Sequence, residues 1–251
     1  MTDADSPLLI ALSGPTSSGK TTIATALASI FPSSQVSVLH ADDFYKSDSA
    51  IPLHPSGVQD WDCADALNLP HFRRVLLDIK SGEDVPEKLV KQGGAEDGVH
   101  GSTSGLSQTS IESARETVAA WPPKLKKRKL VIVEGFLLFG EGVKDTLGSL
   151  FDLRILLRTT RETAQKRRKS RNGYVTLEGF WQDPEGYFED VVWPNYYKDH
   201  GFLFEEGDVE SSVKGEVMAG WTGKIRVGLI DDIGLEALLE WVLDCLRDAL
   251  A

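Results

Sequence analysis

The strongest chemical signal in the sequence is a glycine-rich segment that ends in Lys-Thr. Residues Gly14 to Thr21 read GPTSSGKT and fit the phosphate-binding pattern GxxxxGK followed by Thr. The glycines let the backbone wrap closely around an anion, and the turn points several N–H groups inward. In such a loop Lys20 reaches the β- and γ-phosphates of a nucleotide, and the Thr21 hydroxyl binds Mg²⁺. The residues predicted to hold the nucleotide here are Gly14, Pro15, Thr16, Ser17, Ser18, Gly19, Lys20, Thr21 and Thr22.

Acidic residues after two further apolar runs supply the other groups that phosphoryl transfer to a hydroxyl needs. Asp42 and Asp43 follow the apolar run at 36–39, and Glu134 ends the apolar run that begins at 131. One carboxylate can orient the hydroxyl and accept its proton, while others bind magnesium. We predict Asp42 as the proton acceptor, Asp43 as its supporting partner, and a magnesium site at Thr21, Asp42 and Glu134. In the competing interpretation Asp42 caps a turn and Glu134 is a solvated strand end.

A basic run stands out in this acidic chain. Lys166 to Arg171 carries five positive charges. Composition alone leaves two interpretations open, a solvated helix face or nuclear localisation signal, and a lid whose cations close over the transferring phosphate. The position after a predicted strand favours the lid. We therefore predict a lid region over 160–184 that includes this run.

The loop by itself does not identify the enzyme class, because GTPases, motor ATPases and small-molecule kinases share it. A GTPase normally also carries a guanine-reading NKxD motif, and no asparagine in this chain is followed by lysine. Asp231 to Gly234 fits DxxG, but four loose positions so near the end of the chain are weak evidence. A GTPase switch is not predicted.

Strands that alternate with helices must position these groups. Short apolar runs predict strands at 8–12, 36–39, 130–133, 153–157 and 225–230, and helices are predicted at 21–30, 65–79, 161–171 and 235–250. This order is typical of an α/β fold with a parallel sheet of about five strands flanked by helices. We predict a single domain over 1–251. A glycine-rich, polar stretch at 81–129 predicts a partly mobile insertion, with a helix at 111–121 inside it.

The overall charge limits the classes of partner. The 251-residue chain has a formal net charge of −11, so we expect no broad basic surface for nucleic acid or anionic membrane. Cys63 and Cys245 lie far apart in sequence, which argues against a disulfide scaffold or a thiolate zinc site. No apolar run approaches the ~18 residues that cross a bilayer. We predict a cytoplasmic enzyme for small molecules, with nuclear access left open and no obligate protein partner.

Beyond the phosphate loop, several motifs are much narrower. The segments are HADDFYK, QDWD, VEGFLLF, KRRKSRNGY and DPEGYFEDVVWPNYY. With GPTSSGKTT, they make the chain resemble the nicotinamide riboside kinases, in the uridine-kinase-like branch of P-loop kinases. The resemblance covers nearly the whole chain except 81–129 and part of 205–224. It implies a P-loop kinase fold with a small lid, ATP and Mg²⁺ as cofactors, and phosphorylation of the 5′-hydroxyl of nicotinamide riboside.

The resemblance also implies roles for individual residues. Trp61 matches an aromatic side chain that stacks on the pyridine ring, and Tyr174 matches the aromatic on its other side. Asp62 matches an acid that binds the ribose hydroxyls, and Arg168 matches a lid arginine on the ATP phosphates. The implied riboside site also includes Asp42, Asp43, Phe44, Tyr45, Lys169, Val175 and Asp183. The implied nucleotide site also includes Arg168, Asn172, Tyr174, Asp232 and Gly234.

The charge of this substrate agrees with the residues. Its pyridinium ring is a permanent cation, which aromatic faces attract by about 0.5–2 kcal/mol each. Asp42, Asp62 and Asp183 would add to that attraction. Two rival interpretations remain, a kinase of the same branch acting on uridine, cytidine or pantothenate, and a catalytically silent nucleotide-binding module. His40 also lies near the site, and we assign it no role.

Overall fold

A parallel five-stranded sheet forms the centre of the molecule, and the computed structural model describes residues 6–89, 105–126, 128–171, 173–176, 179–215, 225–230 and 233–251. The strands are β1 (Leu8–Ser13), β2 (Val36–His40), β3 (Leu130–Gly135), β4 (Leu153–Leu156), β5 (Tyr174–Val175), β6 (Phe180–Trp181) and β7 (Ile225–Val227). The sheet has the order β2-β3-β1-β4-β7, and β5 and β6 form a separate antiparallel hairpin. The predicted α/β class and the five predicted sheet strands are confirmed.

Strand β1 lies in the middle of the sheet because both of its faces are apolar. All six of its residues are buried. Leu9 and Ala11 join the core on one face, while Leu8 and Ile10 join the core on the other. This alternation follows the two-residue period of a strand, and helices cover both faces. The carboxyl ends of β1, β2 and β3 therefore meet at one edge, where a parallel sheet binds its ligands.

The helices divide between the two faces of the sheet. They are α1 (Lys20–Ile30), α2 (Leu69–Lys80), α3 (Gln108–Ala119), α4 (Glu141–Leu147), α5 (Arg161–Lys169), α6 (Trp193–His200) and α7 (Gly234–Leu250). Apolar residues of α1, α3 and α7 belong to one core, and those of α2, α4, α5 and α6 belong to the other. A π-helical segment, Phe188–Val192, leads directly into α6.

Several boundaries differ from the prediction for local reasons. Helix α2 begins at Leu69, four residues later than predicted, because Asn68 accepts a hydrogen bond from the backbone N–H of His71 at 3.2 Å and caps the helix there. Helices α4 and α6 and the β5–β6 hairpin were not predicted. They are short, and their patterns carry too few residues to distinguish a helix from a loop.

The predicted insertion is only partly described. Residues 90–104, its centre, lie outside the described residues. The part that follows forms α3, close to the predicted 111–121, and Ile111 and Val118 are buried in the core that α1 shares. Within the described segments, no helix is both long and apolar enough to cross a membrane.

Candidate active site

The phosphate loop joins the end of β1 to the start of α1, as its sequence predicts. The Lys20 ammonium folds back over the loop and donates to the carbonyl oxygens of Gly14 at 3.0 Å and Pro15 at 2.9 Å. The hydroxyls of Ser17 and Ser18 are buried and have no hydrogen-bond partner among the described residues. Buried hydroxyls without partners are rare in proteins. A bound phosphate would supply the missing acceptors, so the loop fits a nucleotide.

Two glycines give the loop its shape. Gly14 has φ 151°, and a Cβ there would lie 2.5 Å from the carbonyl oxygen of Leu157. Gly19 has φ 93° at the N-cap of α1, and a Cβ there would lie 3.1 Å from Leu235. Both positions favour glycine because L side chains rarely adopt these backbone angles. The close approach also shows that Leu235, in the first turn of α7, packs against the loop.

A compact cluster around Glu134 occupies the ends of β2 and β3. The Thr21 hydroxyl donates to Glu134 Oε1 at 3.0 Å, and His40 Nδ1 lies 2.7 Å from the same oxygen. His40 and Glu134 are register partners in the parallel sheet. Asp42 follows the end of β2 and lies in a short 3₁₀ segment, Ala41–Phe44. The three predicted magnesium ligands therefore come together at one edge of the sheet.

Burial shifts the acid–base properties of this cluster. Burial and the neighbouring Glu134 carboxylate raise the pKa of Asp42 to about 6. Burial opposes ionisation of Glu134 as well, but hydrogen bonding to His40 and the charge of Lys20 hold its pKa below the ordinary value. Burial lowers the pKa of Lys20 to about 8, although Glu134 and Asp42 oppose this change. Asp42 is thus a stronger base than a solvated aspartate, which suits a proton acceptor.

A cavity of about 280 Å³ opens beside the loop and connects it to a set of aromatic side chains. Most of the predicted site residues line it. They are Thr16, Ser17, Gly19, Lys20, Thr21, Thr22, Asp42, Asp43, Tyr45, Trp61, Asp62, Glu134, Arg168 and Tyr174. The fold therefore brings together predicted side chains that are more than 150 residues apart in the sequence. They meet at the edge of the sheet where the carboxyl ends of the strands lie.

Phe44 is an exception among the predicted substrate residues. Its ring is buried in the core and stacks on Phe72, with 4.0 Å between ring centroids. It does not line the cavity. The next residue, Tyr45, does line the cavity. The structure thus places Phe44 in the core, and its part in the riboside site stays a prediction.

Arg168 is held between two carboxylates. Its Nη1 and Nη2 atoms each lie 3.3 Å from an oxygen of Asp62, and its Nε lies 2.6 Å from Asp183 Oδ2. Nη1 also lies 3.3 Å from the hydroxyl of Thr16 in the phosphate loop. Asp183 does not line the cavity itself. Its role in this structure is to hold Arg168, which connects α5 to both the loop and Asp62.

The remaining predicted residues lie around the edge of the site or outside the described residues. Lys169 points away from the cavity and pairs with Glu189 at 2.9 Å, so the structure does not place it on a substrate. Val175 pairs with Phe180 in the hairpin. Gly234 begins α7 with φ 77°. Asn172 and Asp232 lie outside the described residues.

The sequence missed four side chains that line the cavity, namely Phe136, Arg171, Thr176 and Trp181. Phe136 is the residue after Gly135 in VEGFLLF, and Arg171 ends the basic run, so both were within quoted motifs. Thr176 and Trp181 carry no local signal. They reach the site because β5 and β6 fold back as a hairpin, which nothing in the short stretch 174–181 predicts.

In sequence, the chain is similar to known kinases. The chain is 34% identical to the nicotinamide riboside kinase of Schizosaccharomyces pombe over 246 residues, 97% of each chain. It is 37% identical to that of Saccharomyces cerevisiae over 209 residues, 81% of each chain. It is 30% identical to mouse nicotinamide riboside kinase 1 over 190 residues, 76% of each chain. No protein-family model matches the chain.

Solved structures resemble the chain only loosely. One is a possible uridine kinase from Bacillus stearothermophilus, at 14% identity and a TM-score of 0.40, with 76% of this chain and 79% of that chain covered. Another is a sugar kinase from Janibacter sp., at 13% identity and a TM-score of 0.43, with 97% and 98% covered. TM-scores this low do not establish a shared fold. The α/β fold is established by the strand order and the phosphate loop described above.

Proposed function

Since this chain belongs to the nicotinamide riboside kinase family, we propose that it transfers the γ-phosphoryl group of ATP to the 5′-hydroxyl of nicotinamide riboside. The product is the mononucleotide, a precursor of NAD. Nicotinic acid riboside, which has the same sugar and a pyridinium ring, is a second candidate acceptor. The partners of this reaction are a nucleotide with its Mg²⁺ and a small-molecule acceptor. A cytoplasmic location stays a prediction of the sequence.

One observation supports this proposal above the others. A single cavity is lined by the phosphate loop residues Lys20 and Thr21, by the carboxylate of Asp42, and by the aromatic rings of Trp61 and Tyr174. A nucleotide phosphate on the loop and a riboside with its flat base among the rings would therefore share one cavity. Phosphoryl transfer requires this shared space, because the acceptor oxygen must approach the phosphorus in line with the leaving oxygen.

Each of three side chains would have a separate role in the transfer. Lys20, released from the Gly14 and Pro15 carbonyls, would pair with the nucleotide phosphates and neutralise the charge that develops on them. Asp42 would accept the proton of the 5′-hydroxyl as its oxygen bonds to phosphorus and the bond to ADP breaks. The raised pKa of Asp42 favours this proton transfer. Arg168, whose Nη1 lies 3.3 Å from the Thr16 hydroxyl, would help to stabilise the same charge.

The residues near Thr21 fit a magnesium ion. The Thr21 hydroxyl and the carboxylates of Glu134 and Asp42 offer oxygen ligands, which Mg²⁺ prefers. Among the described residues no group of three or more His, Cys, Asp or Glu side chains could hold a metal by itself. Phosphate oxygens and water would therefore complete the coordination. Bound there, the metal would spread the negative charge of the phosphates.

The identity of the product tests this function. Purified protein is incubated with ATP, MgCl₂ and nicotinamide riboside, and the product is analysed by ³¹P NMR and mass spectrometry. We expect a phosphomonoester whose phosphorus couples to the C5′ protons, together with one ADP per product. The Asp42→Asn variant should form it at least about 100-fold more slowly while still binding ATP. Phosphate on another hydroxyl, or equal turnover by the variant, would contradict the proposal.

The two rivals differ from it in measurable ways. A silent nucleotide-binding module would release no ADP in response to any riboside. The intact Lys20, Thr21, Asp42 and Glu134, all lining one cavity, argue against that alternative. A uridine or cytidine kinase would use a neutral base at least as well as the cationic one. The aromatic and acidic lining of the cavity favours the cation.

A further inference from the structure

The aromatic side of the cavity contains an indole that the sequence did not single out. Trp181 lies in β6, directly opposite Tyr174 in β5. Directly paired residues of an antiparallel pair point to the same face, and both of these line the cavity. Phe180 belongs to the other face of the hairpin and is 60% exposed. The hairpin therefore presents two rings to the site, Tyr174 and Trp181.

These two rings differ in what already covers them. The guanidinium of Arg168 lies 5.1 Å from the centroid of the Tyr174 ring, and that of Arg171 lies 5.8 Å from it. Two cations of the protein thus already lie near the Tyr174 ring. Among the described residues, no cation lies over Trp61 or Trp181 at a comparable distance. A further cation entering the cavity would meet unused aromatic faces at the two tryptophans.

The two tryptophans lie next to each other in a fixed arrangement. Their ring centroids are 6.0 Å apart, and the ring planes are inclined by 52°. Tyr187 packs edge-on against Trp181 at 5.4 Å. The indole N–H of Trp181 donates to Asp183 Oδ1 at 3.0 Å, and the same carboxylate holds Arg168. The Trp181 ring is therefore fixed on its edge and against one neighbour, while part of it remains exposed to the cavity.

We propose that Trp181, together with Trp61, forms the aromatic corner that recognises a positively charged base, and that Trp181 is a specificity-determining residue for the riboside. This inference rests on the proposed function. Tyr174 lines the same cavity and keeps its predicted place beside the base. Indole is the side chain with the strongest attraction for a cation over its face. The corner therefore favours a pyridinium base over an uncharged base of similar shape.

The test compares two ligands that differ mainly in charge. Nicotinamide riboside carries the cation, and its 1,4-dihydro form has nearly the same shape without the charge. Their dissociation constants are measured by calorimetry on the full chain, with a non-hydrolysable ATP analogue and Mg²⁺ present. The variants are Trp181→Leu, Trp181→Phe, Tyr174→Leu and, as a matched control on the outer face of the same hairpin, Phe180→Leu.

Trp181→Leu should weaken binding of the cationic riboside by about 3- to 30-fold and binding of the neutral form by less than about 2-fold. Trp181→Phe should retain most of the preference because it keeps a ring. Phe180→Leu should behave like the parent chain. Equal losses for both ligands in Trp181→Leu, or a Trp181→Leu variant with the same preference as Phe180→Leu, would overturn the assignment.

Two further readouts keep the result interpretable. If Trp181→Leu does not fold, Trp181→Met replaces it, because a flexible thioether fills the space without an aromatic face. Turnover of nicotinamide riboside by the parent chain is measured alongside. Its absence would contradict the proposed function itself. Normal turnover with no change of preference in the Trp181 variants would contradict only the role given to Trp181.

Discussion

The guanidinium of Arg168 and the carboxylate of Asp62 form a two-point ion pair, with both N–O distances at 3.3 Å. Both side chains are buried, and Asp183 binds the same guanidinium from another direction. The pair joins the loop after β2 to helix α5. A carboxylate implied to bind ribose and an arginine implied to bind phosphate are therefore in direct contact with each other.

The first prediction concerns the stability that this network provides. Arg168→Leu would leave Asp62 and Asp183 without their shared cation, and breaking a buried pair in this way costs about 3–5 kcal/mol. We expect a loss of that size in urea unfolding of the ligand-free protein. The double variant Arg168→Leu with Asp62→Leu should recover part of the loss, because it also removes one of the two stranded charges. A double variant no more stable than the single one would contradict this account.

The second prediction concerns the charge of Asp42. Its pKa is raised to about 6 by burial and by Glu134, whereas an unfolded aspartate titrates near 3.9. The ionised group therefore lowers stability fully above pH 6, and this penalty disappears below about pH 4. Asp42→Asn should thus stabilise the ligand-free protein by about 1–3 kcal/mol at pH 8. The gain should vanish at pH 4.

Thermal unfolding in the presence of EDTA measures this effect without bound metal. The same variant should lose turnover, so that stability and activity change in opposite directions. This trade-off is common for catalytic groups held in unfavourable surroundings. If the variant is less stable than the parent at pH 8, or differs from the parent by the same amount at pH 8 and pH 4, burial does not destabilise the ionised form of Asp42.

The third prediction concerns the backbone of the phosphate loop. In Gly14→Ala the new Cβ would lie 2.5 Å from the Leu157 carbonyl oxygen at a φ of 151°. We expect a loss of about 1–3 kcal/mol in stability, together with weaker nucleotide binding. Gly179→Ala is the matched control, because a Cβ there meets nothing within 4 Å. If both substitutions have the same effect, the close approach at Gly14 is not what requires glycine.

The fourth prediction concerns a residue that acts through its neighbours. The Asn195 amide donates to both oxygens of Asp60 at 2.9 Å, and Asp60 Oδ1 accepts the backbone N–H of Asp62. Asn195→Leu should deprive Asp60 of its side-chain donor and shift the Asp62 segment. We expect the KM for the riboside to rise several-fold while the KM for ATP changes little. Asn195→Asp, which places a second carboxylate beside Asp60, should be worse. Equal changes in both KM values would contradict a specific effect on the riboside side of the cavity.

Much of the fold could be predicted because its signals are local. The apolar runs of β1 and β3 are continuous, and the phosphate loop is contained in eight adjacent residues. Asp42 and Glu134 were found because strand ends in a parallel sheet share one edge. The start of α2 was predicted too early because Asn68, which caps it, competes with a helical pattern that extends further back.

The rest of the site depends on contacts that no local pattern contains. Arg168 meets Asp62 across 106 residues and Thr16 across 152. Whether an aromatic residue such as Phe44 is packed in the core or exposed to the cavity depends on the direction of one short turn. Trp181 reaches the cavity through a hairpin whose strands have two residues each. These features follow from tertiary packing, which decides short elements.

We propose that this cavity selects a cationic riboside for phosphorylation by ATP. The most direct test is a panel of kcat/KM values for nicotinamide riboside, nicotinic acid riboside, uridine, cytidine and pantothenate, each with ATP and Mg²⁺. We predict that nicotinamide riboside exceeds uridine, cytidine and pantothenate by about tenfold or more, since loss of the cationic contacts costs at least that much across several aromatic and acidic side chains. A kcat/KM for uridine or cytidine equal to or above that for nicotinamide riboside would contradict the account.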